Sequence, residues 1–133
     1  MTSTELENLL RSGVLKREAP SESEVEGLRA SGNARLVDAA NPSLSLESRF
    51  DLAYNAAHAL SLAALRRTGY RADNRYAVFQ CLPHTLDVPT AIWRLLAKCH
   101  AMRNQAEYEG VIELDERLVD DLISAAAAVR DAL

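Results

Sequence analysis

Residues 46–69, LESRFDLAYNAAHALSLAALRRTG, constrain the fold more than any other stretch. Wound as a helix, the segment is apolar on nearly every side. Leu46, Phe50, Tyr54, Ala57, Leu60 and Ala64 recur at steps of three and four and form one stripe. Leu52, Ala56, Ala59, Leu62 and Ala63 form another. A helix with two apolar faces is either central to a bundle or shared with a second subunit. Its many alanines let neighbouring helices approach closely. Ser43 or Ser45 suits the N-cap, and Gly69 suits the C-terminal stop. Arg66 and Arg67 fall in the last turn, where positive charge complements the helix dipole.

The rest of the chain reads as helices to surround this one. Only 5% of the residues are aromatic, and that alanine-rich, aromatic-poor balance favours close-packed helices over β-sheet. Thr4-Glu5-Leu6-Glu7 is a capping box for a short helix carrying Leu6, Leu9 and Leu10. Gly13 ends it, Val14 and Leu15 fold back onto the core, and residues 16–20 connect onward. Ser21-Glu22-Ser23-Glu24 is a second capping box, and a helix follows toward Ala40 with Val25, Leu28, Leu36 and Val37 on its apolar side. Gly32-Asn33 interrupts that pattern. It either breaks the helix or lets a neighbour come close, and a continuous helix is expected. Asn41-Pro42 ends the element.

Residues 70–74 read as a polar loop. A shorter helix at 75–86 turns Val78, Phe79, Leu82 and Leu86 inward, with Pro83 kinking or ending it unless it marks a first turn. Residues 111–114 are a linker, and Asp115 caps a final helix with Leu118, Leu122, Ala125 and Val129 on one face. No strand is evident. The expectation is one domain over residues 1–133, all-α, an antiparallel up-and-down bundle of five or six helices. Within it, residues 1–42 supply N-terminal helices and residues 43–133 the core.

Residues 89–110 carry the richest chemistry. Ile92, Leu95, Leu96, Cys99, Met102 and Ala106 mark the apolar face of a helix of about five turns. Asp87 is placed to cap it, Pro89 suits its first turn and Gly110 its left-handed end. The opposite face carries His100, Arg103, Asn104, Glu107 and Tyr108 at i, i+3, i+4, i+7 and i+8, a single polar stripe. On a solvated face Arg103 and Glu107 form an i, i+4 pair worth a few tenths of a kcal/mol. In a site, Arg103 clamps phosphate or carboxylate through its two-pronged guanidinium, Asn104 adds a donor and Glu107 orients the arginine. His100 is either a hydrogen-bonded core histidine or a proton-transfer group. His58 and His84 read as structural.

The net charge of −4 gives no global drive toward nucleic acid. The charge is uneven, however. Residues 46–104 hold eight basic and four acidic side chains, whereas residues 105–133 hold two and eight. Arg66, Arg67, Arg71 and Arg75, with Tyr70 and Tyr76 interleaved, form a basic cluster suited to a nucleic-acid backbone. Read plainly, the same cluster is a helix C-terminus followed by a solvated loop. Cys81 and Cys99 have no CxxC partner and no histidine at ligand spacing, so they read as small buried hydrophobes and not as a zinc site. No glycine-rich phosphate loop, nucleophile elbow or metal motif is present, and no cofactor is expected. The first ten residues lack the apolar core of a signal peptide, and no run approaches the ~20 apolar residues of a membrane span. A cytoplasmic location with no membrane contact is expected.

The block SRFDLAYNAAHALSLAALRRTGYR, a shorter helix, and then RNQAEYEG together resemble the HEPN superfamily of small helical domains, over roughly residues 46–131. The resemblance implies a helical bundle that forms homodimers. It implies RNA or nucleotide binding and, in many members, metal-independent ribonuclease activity. Some members are toxins opposed by a small nucleotidyltransferase antitoxin. The family's active motif is an arginine, a polar residue, three more residues and a histidine. Arg103 and Asn104 match its first two positions, and Tyr108 stands where the histidine belongs. A tyrosine, with an ordinary pKa near ~10, is a poor base at neutral pH. The leading expectation is therefore a HEPN-like domain that binds RNA, a nucleotide or a protein partner through the stripe at a dimer boundary. The alternatives are a toxin-type endoribonuclease using Arg103, Asn104 and either Tyr108 or His100, and an adaptor whose stripe is an internal polar network.

Overall fold

A computed structural model describes residues 3–133. The described residues form an all-α bundle of seven helices with one small two-stranded ribbon. In chain order these are α1 (Thr4–Arg11), β1 (Leu15–Arg17), α2 (Glu22–Ala39), α3 (Leu46–Arg67), β2 (Tyr70–Ala72), α4 (Arg75–Gln80), α5 (Leu82–Thr85), α6 (Thr90–Glu109) and α7 (Glu116–Ala132).

Helix α3 is the axis. Ser45 caps it by accepting from the Ser48 amide at 3.1 Å, and Gly69, at φ +92°, releases the chain after Thr68. Phe50, Tyr54, Leu60 and Leu65 are buried, as are Ala53, Ala56, Ala57, Ala63 and Ala64. Cross-helix contacts give the directions. Glu24 meets Arg66 and Gly32 meets Leu60, so α2 runs antiparallel to α3. His100 meets Tyr54 and Arg103 meets Asp51, so α6 is also antiparallel to α3. Arg49 reaches Asp120 and Arg67 donates to the Leu133 carbonyl, so α7 runs alongside α3 in the same direction. The two apolar faces of α3 are thus satisfied within one chain, by α2 and α7 on the larger contacts and by α4, α5 and α6 on the others. A second subunit is not needed to cover it.

Several local expectations hold for clear reasons. Ser21 accepts from the Glu24 amide and Asp115 from the Leu118 amide, because each oxygen lies one turn before an open N–H. Helix α2 passes through Gly32 without a break. A Cβ there would lie 2.6 Å from Leu60 Cγ, so the glycine permits the close approach of α2 and α3.

Other expectations are corrected. Residues 75–86 form two short helices, α4 and α5, separated at Cys81, with Pro83 in the first turn of α5. That split makes seven helices where five or six were expected. Ser3, not Thr4, caps α1. Pro89, not Asp87, occupies the N-cap of α6, and no side chain caps that end; Asp87 lies two residues upstream, out of reach of the first open amides. Val37 is 65% exposed and plays no part in the core. Residues 16–17, read as connector, and 70–72, read as loop, join Leu15 in a pair of antiparallel strands in the register Leu15 with Ala72, Lys16 with Arg71, and Arg17 with Tyr70. Three-residue strands are too short to display an alternating pattern. The ribbon seats a second, smaller core of Leu6, Leu15, Leu65, Tyr70, Val78 and Cys81 at the C-terminal end of α3.

Candidate functional site

Leu96 and Cys99 anchor α6 in the core, and that anchoring turns His100, Arg103 and Glu107 onto the surface of α3. His100 Nδ1 lies 2.8 Å from Tyr54 Oη, and Asn104 Nδ2 donates to His100 Nε2 at 3.1 Å. With the Asn104 amide so oriented, the imidazole proton sits on Nδ1 and is donated to Tyr54; turning the amide over reverses both bonds. Arg103 lies over the Tyr54 ring, 5.1 Å from its centroid. Its Nη1 is 3.1 Å from Glu107 Oε1, and its Nε is 3.6 Å from Asp51 Oδ1.

A second guanidinium comes from the start of α4. Arg75 donates to Asn55 Oδ1 at 2.8 Å and lies 5.5 Å from the centroid of the same Tyr54 ring. Asp51 and Asn55 are one turn apart on α3, and Asn55 donates to the Asp51 carbonyl. Arg103 and Arg75 therefore stand on adjacent turns of one helix surface, with Tyr54 between them. Arg75 is half-buried, and among the described residues no carboxylate pairs with it. Tyr76, next in sequence and 44% exposed, holds its ring 6.3 Å from the His100 ring.

The charges shape the titrating groups. Desolvation, and then the nearby Arg103 and Arg75, hold the His100 imidazole below its ordinary value, so it is neutral at pH 7. His58, packed edge-on against Phe79, is pushed down to about 4 by burial first and by Arg75, His100 and Arg103 after it. Burial raises Tyr54, against the pull of Arg75 and Arg103, so its hydroxyl stays protonated. Burial pushes both thiols, Cys81 and Cys99, up to about 11.

The structure brings together His100, Arg103, Asn104 and Glu107 of the expected stripe, and leaves Tyr108 out. Tyr108 is 91% exposed and makes no hydrogen bond or aromatic contact with a described residue. The basic cluster also divides. Arg66 is 1% exposed and faces inward, with Nε donating to Glu24 at 2.6 Å and its two terminal nitrogens donating to the carbonyls of Glu18, Ala19 and Tyr70. A guanidinium so enclosed cannot contact a nucleic acid, and Arg66 is corrected to a structural residue. Arg71 is tied to Glu18 at 2.7 Å and Glu24 at 2.9 Å, which spends its charge inside the protein. Arg67, on the exposed side, donates to the Leu133 carbonyl. Only Arg75 of the four reaches the α6 stripe.

Tyr54, Asp51 and Asn55 are members of the site that sequence reading missed. Tyr54 fits an apolar stripe and was read as core. The signal available was polar residues, Asp51, Asn55 and His58, at steps of four and three on an otherwise apolar helix.

An open groove of about 410 Å³ extends from Arg103 along the start of α3, with Phe50, Ala106 and Ile112 as its apolar floor and Asp51 and Glu107 at its rim. Among the described residues no group of three His, Cys, Asp or Glu side chains is placed to hold a metal ion, and no helix is long and apolar enough to cross a membrane. Compared with protein-family models, curated proteins and solved structures, the chain matches none of them. The HEPN resemblance stands on the sequence alone.

Proposed function

We propose that this chain is a HEPN-like helical domain that binds the phosphate backbone of a single-stranded RNA at Arg75 and Arg103. The observation that carries the reading is Arg75: a half-buried guanidinium without a carboxylate partner among the described residues, set over the same tyrosine ring as a second guanidinium. Arg103 is shared with Glu107 and Asp51, whereas Arg75 keeps its charge for an anion, and guanidinium binds phosphate through two parallel hydrogen bonds. Asn104 is exposed beside them and adds an amide donor. Tyr76 supplies a partly exposed ring on which a base adjoining the bound phosphate can stack. Every group comes from one chain, so the reading requires neither a homodimer nor a nucleotidyltransferase partner.

Binding of a fluorescent single-stranded RNA, followed by anisotropy at low salt in EDTA, tests this. Arg75→Ala is expected to weaken binding by about 10- to 100-fold, the worth of one charged hydrogen bond at ~1.5–3 kcal/mol. Tyr76→Ala is expected to weaken it about tenfold. Undiminished binding by Arg75→Ala sinks the reading.

One observation favours cleavage as a second reading. His100 is neutral at pH 7 and lies on the same tyrosine as the two guanidiniums. Its Nε2, once the exposed Asn104 amide swings off it, can take the proton of an RNA 2′-hydroxyl while the arginines stabilise the phosphate charge. RNA cleavage in EDTA that disappears in His100→Ala but survives in Tyr108→Phe identifies that activity. Cleavage lost only in Tyr108→Phe contradicts it.

A further inference from the structure

We propose that Asp51 and Glu107 are specificity-determining residues that make the site accept a singly charged phosphodiester and reject a doubly charged terminal phosphate. The inference rests on the phosphate-binding reading above and concerns which phosphate enters. Both carboxylates already pair with Arg103, Glu107 at 3.1 Å from Nη1 and Asp51 at 3.6 Å from Nε. Both line the groove that Arg103 also lines. Their side chains are 61% exposed, so they face an incoming ligand instead of being shut away behind the arginine.

The local count of charge is then Arg75 and Arg103 against Asp51 and Glu107, with Glu47 a third carboxylate on the groove lining. His58 and His100 are held neutral at pH 7 and add nothing. The carboxylates therefore offset the two cations in full. The attraction of a site for an anion grows in proportion to the anion's charge, whereas the cost of stripping its water grows as the square of that charge. In a site crowded with cations the first term dominates and a dianion is preferred. Here the two carboxylates remove most of the first term, and the dianion retains its full dehydration cost. Arg75 still offers its two-pronged donor, which a phosphodiester can accept at half the charge.

The test uses two ligands that differ by one charge, adenosine 5′-monophosphate and its phosphate methyl ester. At pH 8 the former is a dianion, since its second proton leaves near ~6, and the latter a monoanion. Each competes against labelled single-stranded RNA. The wild type is expected to bind the methyl ester more tightly. In the Asp51→Asn/Glu107→Gln double variant the monophosphate is expected to gain at least ~3-fold more than the ester, as like-charge repulsion at a solvated surface allows. Both substitutions are isosteric and exposed, so the fold survives them. If the wild type binds RNA but the ratio between the two ligands is unchanged in the double variant, or if the wild type prefers the monophosphate, this inference is overturned while phosphate binding stands. If no RNA binds at all, the phosphate reading falls and the inference with it.

Discussion

His58 shows how the site's charges reach into stability. Its imidazole is half-buried against Phe79 with two guanidiniums nearby, and its pKa drops from the ordinary 6.5 to about 4. In the unfolded chain it takes up a proton near pH 6.5; in the folded chain it does not until near pH 4. The unfolded state therefore binds more protons across that window. Stability is full above pH 6.5 and is lost as the pH falls toward 4. The loss amounts to roughly 2–3 kcal/mol, and His100, lowered in the same direction, adds to it. Urea unfolding between pH 7.5 and 4.5 reads this directly. The slope is expected to flatten in His58→Leu, and an unchanged slope contradicts the burial of a neutral imidazole.

The same scale explains what the α6 stripe disclosed and what it hid. Spacing alone grouped His100, Arg103, Asn104, Glu107 and Tyr108. At about 100° per residue, Glu107 returns to within about 20° of His100, while Tyr108 has turned about 80° away. Tyr54 and Arg75 come from other elements, and no periodicity within α6 points to them.

Helices read well here where their ends carry chemistry. Ser21, Ser45 and Asp115 announced their helices because a side-chain oxygen must meet an open amide one turn on. The ribbon and the α4–α5 split depend on tertiary packing, and short segments leave no pattern of their own. Gly32 is the packing counterpart at the α2–α3 contact. Gly32→Ala gains about 1 kcal/mol of helix propensity, but its methyl meets Leu60 Cγ at 2.6 Å and Cδ2 at 2.9 Å in a buried position. Overpacking costs about 1–3 kcal/mol, so a net loss of about 1 kcal/mol in denaturant unfolding is expected. The loss should vanish when Leu60 is shortened to alanine in both parent and variant.

Arg66 joins elements in a different way. It pins the segment before α2 and the start of β2 to the end of α3 through Glu24 and three carbonyls. Removing a buried cation takes that donor from the carbonyls of Glu18, Ala19 and Tyr70, while Glu24 keeps only its bonds from Arg71. Arg66→Ala is expected to cost about 3–5 kcal/mol by urea unfolding, well beyond the ~1 kcal/mol of a surface arginine. A loss under 1 kcal/mol would show that the guanidinium is not the tie. Sequence reading placed Arg66 with the nucleic-acid candidates because a one-dimensional cluster cannot tell which arginines point inward.

At the scale of the molecule, the proposed anion site belongs to an acidic chain with net charge −4. Long-range attraction to nucleic acid is absent, so affinity rests on a few local contacts and is modest and salt-sensitive. One shared phosphate implies a slope of log K against log salt of about −0.7, which flattens toward zero when both arginines are removed. Helix α3 is enclosed within the bundle, and the proposed site draws all its groups from one chain.

A double-mutant cycle on RNA affinity, with Arg75→Ala, Arg103→Ala and both, tests the central claim most directly. If the two guanidiniums hold one phosphate between them, each single variant loses about 10-fold or more, and the double variant loses clearly less than the product of the two. Wild-type affinity in Arg75→Ala, or losses that simply multiply, would contradict a shared anion site over Tyr54.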